Sequence, residues 1–184
     1  MPLTHSPIAT ALLESLKTMP GRRIYGVVDA ANCVDLAYEA KIQFGREIRS
    51  LFLPEVQQRL WDVAPYLVPI DPDSGYMENW VRRWGTSAGI LLTSGADEAT
   101  LFAHLRKMFV VEDENKQEYF FRYYDPRVLP TFLPTCSAAQ LDEFFGPVDR
   151  FVAEASEGDA LVRLRRDGGK LTGERVVLKT SEIS

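Results

Sequence analysis

The sequence predicts an α/β fold: a mixed β-sheet flanked by helices, with a C-terminal β-hairpin. Three observations point there. Short apolar, β-prone runs alternate with segments of helical periodicity. One of those runs, AGILLTS (88–94), is apolar on both faces, as in the middle of a parallel sheet. Late in the chain, ALVRLRR (160–166) and LTGERVVLK (171–179) flank Asp167-Gly168-Gly169, a hairpin signal.

Each element has its own reason. In SPIATALLESLKTM, Ser6 caps a helix, Pro7 suits its first position, and Ile8, Leu12, Leu16 and Met19 share one side. Pro20-Gly21 ends it. RRIYGVV (22–28) is a β-branched and aromatic strand closing at Asp29. From Asn32 to Phe44 the spacing of Val34, Leu36, Ala37, Ala40 and Phe44 is helical, and Gly45 suits the C-cap. IRSLFL (48–53) reads as a second strand, with Pro54 opening a short helix to about Trp61. The two prolines of APYLVPI (64–70) restrict it to an edge or to strand ends.

From Ser74 to Trp84, Tyr76, Met77, Trp80, Val81 and Trp84 form one helical stripe, with Arg82 and Arg83 off it and Gly85 stopping it. After AGILLTS, Ser94 is expected to cap a helix in a capping box with Asp97; Leu101, Phe102, Leu105, Met108 and Phe109 are its buried side. FVV (109–111) and EYFFRYY (118–124) flank a turn. Ser137 with Gln140 is another capping box, before Leu141, Phe144 and Phe145. The C-terminal hairpin, its arginines alternating outward, is expected as a ribbon at the side of the main fold, dividing the chain into 1–150 and 151–184.

Composition bounds the chemistry. A chain of 184 residues buries roughly 70% of its unfolded surface and folds without a disulfide or metal. The formal net charge of -5 argues against nucleic acid as a partner, because phosphate binders carry a basic face. Two separated cysteines, Cys33 and Cys136, and two histidines, His5 and His104, do not make a zinc site. No leader and no membrane-spanning apolar run are read, so a cytoplasmic location is expected. No phosphate-binding glycine loop is present, and no cofactor is expected. Ser94, His104 and Asp125 offer the ingredients of a hydrolase or transferase, but LLTSGAD lacks a nucleophile elbow and capping explains Ser94.

The densest stretch is FFRYYDPRVLPTFLP (120–134). Read as a strand, 118–124 places Tyr119, Phe121 and Tyr123 on one face and Phe120, Arg122 and Tyr124 on the other. Asp125-Pro126 then starts a helical turn, with Asp125 able to cap it while accepting from Arg122 or Arg127. The charges of such a strand-to-helix corner hold it together without any substrate.

FRYYDPRVLPTFLP also resembles the hallmark segment of the type VI secretion adaptor family, the effector chaperones called Tap or TEC. YGVVDAA (25–31), APYLVPI, WGTSAGILLTS (84–94), HLRKMFVV (104–111) and FFGPV (144–148) look like that family's blocks in the same order, so the likeness spans about residues 24–148. The WG block departs by Thr86-Ser87-Ala88 before its strand. The resemblance implies an adaptor and no catalyst: a protein that binds a toxic effector and helps load it onto the VgrG spike. His104, Leu105, Arg106, Arg122, Tyr124, Asp125, Pro126 and Arg127 match its motifs. Arg122 and Asp125 are expected to serve the fold, with His104, Tyr124 and Pro126 counted with them. Arg127, Arg106, Arg82, Arg83, Trp84, Arg163 and Arg165 are the residues expected to meet a partner.

Overall fold

The computed structural model describes residues 6–17, 20–53, 56, 59–112, 115–155 and 157–178. Along the chain run α1 (Pro7–Ser15), β1 (Arg23–Asp29), α2 (Val34–Phe44), β2 (Arg49–Ser50), β3 (Pro65–Ile70), α3 (Gly75–Arg82) and β4 (Gly89–Ser94). Then come α4 (Glu98–Lys107), β5 (Val110–Glu112), β6 (Glu118–Phe120), α5 (Leu129–Phe132), α6 (Ala138–Phe145), β7 (Val148–Glu154), β8 (Ala160–Asp167) and β9 (Lys170–Val177). Seven strands form one sheet in the order β2-β3-β1-β4-β7-β8-β9, while β5 and β6 make a separate two-stranded hairpin.

The α/β class, the flanking helices and the C-terminal hairpin are as the sequence predicts. Strand direction is not. Every pairing is antiparallel. β1 inserts between β3 and β4, so the two strands joined through α3 run the same way without touching. β4 is buried along its whole length, as expected, because layers cover both faces and not because its neighbours are parallel.

Strand alternation divides the interior in two. Ile24 and Val28 of β1, Tyr66 and Val68 of β3 and Leu91 of β4 meet α1, α2 and α3 through Leu12, Leu36, Tyr76 and Trp80. The intervening Tyr25, Val27, Leu67, Ile90 and Leu92 meet α4, the 121–133 segment and α6 through Leu105, Tyr123, Leu129 and Phe145. Trp80 lies so close to β1 that a Cβ on Gly26 would sit 2.6 Å from its ring. That is why this strand tolerates a glycine in its middle.

Several local expectations hold and several shift. Gly45 ends α2, and Ser137 with Gln140 forms a reciprocal capping box on α6, as expected; the Ser6 side chain makes no cap bond on α1, while Ser74, at the start of the α3 stripe, caps that helix. Pro65 opens β3, and Pro69 lies beyond the two residues that β2 pairs. The strand expected over 48–53 is only Arg49–Ser50; of the short helix expected from Pro54 to Trp61, residues 54, 55, 57 and 58 lie outside the described residues, as does Met19, and 59–61 are not helical. Asp97, not Ser94, caps α4: its carboxylate accepts from the Thr100 amide and hydroxyl. Ser94 instead accepts from the Ala96 amide and donates to the Pro147 carbonyl. The C-terminal hairpin is not a ribbon at the side. β8 pairs with β7 from Arg150 to Glu154, so it continues the main sheet, and residue 150 lies inside β7.

Candidate functional site

At the end of the sheet where β1 finishes, the chain returns after β6 and turns sharply from Arg122 to Leu129. Only Glu118–Phe120 is strand, so the alternation expected through Tyr124 breaks. Tyr123 and Tyr124 are both buried, whereas Phe120 is 83% exposed. The break has a cause: Tyr123 donates its hydroxyl to the Leu105 carbonyl, and Tyr124 packs edge-on against it with ring centroids 5.8 Å apart. Two consecutive inward tyrosines require a turn.

Asp125 organises that turn. Its Oδ1 accepts from the Arg127 amide at 2.9 Å, and its backbone carbonyl accepts from Val128 and Leu129, whose amides open α5. The Arg127 guanidinium closes on the same carboxylate as a fork, Nε to Oδ1 at 2.9 Å and Nη2 to Oδ2 at 2.7 Å. Burial alone would raise this carboxyl, but the bonds from Arg127 bring it below its ordinary value. Arg122 stands 4.0 Å from Asp125 and makes its close contact elsewhere, 2.5 Å to Oδ2 of Asp29.

Asp29 is fully buried at the end of β1 and also accepts from the Ala31 amide and the Asn32 side chain. Burial raises its carboxyl above the usual value even though Arg122 opposes the shift. Glu154, at the end of β7, is a third buried carboxylate here, raised by burial while accepting from the amides of Gly85 and Ser87. Those two bonds fix the loop in the departing WG block, where Gly85 and Ser87 both have positive φ. Burial carries the Tyr124 hydroxyl to about 12. Pro126 is buried with them.

The hydrolytic grouping is not assembled. Ser94 pairs in register with Arg23, at the opposite end of β1 from Asp29. Its hydroxyl is committed to Pro147, and the His104 Nε2 lies 2.9 Å from the Phe144 carbonyl. Burial lowers the His104 imidazole below its ordinary value. Its ring rests on Gly146, where a Cβ would come within 2.4 Å, so His104 locks α4 to the end of α6.

The residues expected to meet a partner are scattered. Arg83 is largely buried, 2.9 Å from Glu39 and bound to the Asn79 carbonyl, so it ties α3 to α2. Arg82 is exposed beside Glu78 and Asn79. Trp84 is half-buried against the helices of its face. Arg106 leans on the Phe102 ring at 5.8 Å. Arg127 has its outer surface exposed but both ends of its fork engaged. Arg163 pairs with Glu174, and Arg165 is exposed with no ion pair among the described residues.

A different surface stands out, and the sequence reading passed over it. Val110, Val111, Tyr119 and Phe120 of the β5–β6 hairpin are all exposed. Beside them lies a groove of about 510 Å³ floored by Met108, Phe121, Phe132 and Phe144, with Lys107 and Glu143 at its rim. Phe121 and Phe132 pack at a tilt with centroids 4.5 Å apart at its base. The signal is the density of aromatics from 119 to 132, but strand alternation sorts them into two faces without saying which is exposed. An apolar concavity with a charged rim is suited to hold apolar side chains of a protein segment.

Among the described residues, no group of histidine, cysteine and carboxylate side chains could hold a metal, and no helix is long and apolar enough to cross a membrane. No curated protein and no solved structure matches the chain. A family profile described as a domain of unknown function, DUF4123, matches residues 24–143. That span runs from β1 into α6 and contains Asp29, His104, Arg122, Asp125 and Arg127, the residues that pin the sheet end and the groove wall. This chain belongs to the DUF4123 family.

Proposed function

We propose that the protein is a non-catalytic adaptor: it binds a secreted toxic effector in the cytoplasm and helps deliver it to the VgrG spike of a type VI secretion machine. Membership of the DUF4123 family and the FRYYDPRVLPTFLP resemblance support this reading. The observation that carries it is the exposed hairpin with its apolar groove: Phe120 is unburied, and its cross-strand neighbour Val110 lines the groove with Val111, Met108, Phe121 and Phe132. Apolar anchors of this kind set the dissociation rate, while rim charges such as Lys107 and Glu143 guide encounter. The 122–127 corner serves this surface by holding the segment that ends the hairpin.

Co-expression with the toxin and the spike encoded beside it, followed by affinity capture, tests the proposal. The toxin is expected to co-purify, and Phe120→Asp is expected to reduce its recovery about tenfold, the loss of one buried aromatic anchor. Recovery of neither toxin nor spike sinks the adaptor reading. Unchanged recovery with Phe120→Asp moves the contact away from the groove.

A further inference from the structure

On the sheet face that carries α1, no helix among the described residues covers the outer halves of β7, β8 and β9. Arg150, Arg165 and Thr172 lie in register across those three strands, and Arg163 and Glu174 form the next rung. Neighbouring strands are about 4.8 Å apart, so all five side chains share one small pocket of about 210 Å³. Three guanidinium groups face one carboxylate there. Glu174 is taken by Arg163, and Arg150 spends one nitrogen on the Ser15 carbonyl at the end of α1. The Arg150 Nε is buried without a partner, and Arg165 makes no ion pair among the described residues. Crowding by Arg163 and Arg165 adds to burial in lowering the Arg150 pKa, as expected where positive charge is in excess.

We propose that the Arg150, Arg163, Arg165 and Thr172 pocket binds a carboxylate side chain from an acidic segment of a protein partner. Guanidinium forks match a carboxylate in two bonds at once, and the Thr172 hydroxyl supplies a third donor. The pocket is smaller than ordinary small-molecule sites, which start at about 300 Å³, and fits one side-chain head. A nucleic acid is disfavoured by the net charge of -5 and by the isolation of this basic cup. β9 forms the open edge of the sheet beside it, so an extended partner segment has free access. The proposal rests on the adaptor reading only for the partner's identity; the anion chemistry stands without it.

Fluorescence anisotropy at low salt with a labelled eight-residue peptide alternating glutamate and serine tests the pocket. The same peptide with glutamine in place of glutamate is the reference, and inorganic phosphate is the competitor. Wild type is expected to bind the acidic peptide about tenfold more tightly, and Arg165→Gln to abolish most of that preference. Arg175→Gln, at an exposed pair with Asp159 outside the pocket, is expected to keep it. Equal binding of both peptides, or a preference unchanged by Arg165→Gln, overturns the proposal. Binding of phosphate without any glutamate preference overturns it too, leaving a site for small anions only. Toxin capture by a wild type that shows no glutamate preference sinks the pocket and spares the adaptor; a glutamate preference without toxin capture does the reverse.

Discussion

Two regions that meet at Phe121 use opposite chemistry. Around the turn from Arg122 to Leu129 charge lies inside: Asp125 of the turn and Asp29 at the end of β1 are buried, and each is matched by an arginine whose outer side faces water. From Val110 to Phe120 the chain puts apolar surface outside, on a hairpin whose base is closed by the Phe121 amide donating to the Phe109 carbonyl. Buried charge costs free energy unless it is paired, so the first region is specified by its partners and intolerant of losing one. Exposed apolar surface contributes little to folding, so the second is free to be chosen for contact. Neighbouring residues in one motif can therefore differ completely in what their removal does.

The largest effect is expected at Asp29. Asp29→Ala leaves Arg122, the Ala31 amide and the Asn32 side chain without their acceptor. A loss of roughly 2–4 kcal/mol in urea unfolding follows, with part of the arginine's share relieved by its exposure to water. A loss below about 1 kcal/mol would mean the corner does not depend on its buried charge. Next comes Asp125→Ala, which removes the cap of the turn and the seat of Arg127; thermal unfolding should show a cost of ~0.5–2 kcal/mol. If its melting matches wild type, the corner is held by Tyr123 and Tyr124 instead.

A smaller effect separates the two buried acids by pH. Asp125 has a lowered carboxyl, so its stabilisation is present above the ordinary carboxylate value and is lost as pH falls through its folded value. The stability gap between wild type and Asp125→Asn should therefore narrow from pH 7 to pH 3. Asp29 has the opposite sign: its raised carboxyl weakens the fold as pH climbs from the ordinary value through the raised one. A gap that widens in acid would show that the Arg127 fork does not hold Asp125 ionised. The smallest change in stability, within about 0.5 kcal/mol, is expected for Phe120→Asp, the variant predicted to lose the toxin. Substantial unfolding by that variant would erase the distinction between the two regions.

What could be read from the sequence was mostly local. The capping box at Ser137, the stop at Gly45 and the apolar run of β4 are set by residues within a few positions of one another. The role of Asp125 as acceptor for Arg127 was legible for the same reason. The partner of Arg122 was not: Asp29 lies 93 positions away and meets it only because β1 ends beneath the turn. Strand direction was hidden as well, since alternating helices and strands say nothing about a third strand inserting between two that a helix connects. The groove escaped because its floor gathers Met108, Phe121, Phe132 and Phe144 from four separate segments.

The place of β1 in the middle of the sheet has a consequence for synthesis on the ribosome. This strand is made early, and every residue from Ile24 to Asp29 is destined for the interior. Its two neighbours arrive much later, Ile24 waiting for Ile70 on one side and for Thr93 on the other. Until β4 is made one edge stays unpaired, and the face carrying Tyr25 and Val27 waits for α4 and the 121–133 segment, leaving backbone donors and acceptors and apolar surface ready to pair with any extended chain nearby. The half-made protein, which is itself in need of protection, is thus its most aggregation-prone form, and slowing translation before residue 94 should lower its soluble yield more than slowing it afterwards.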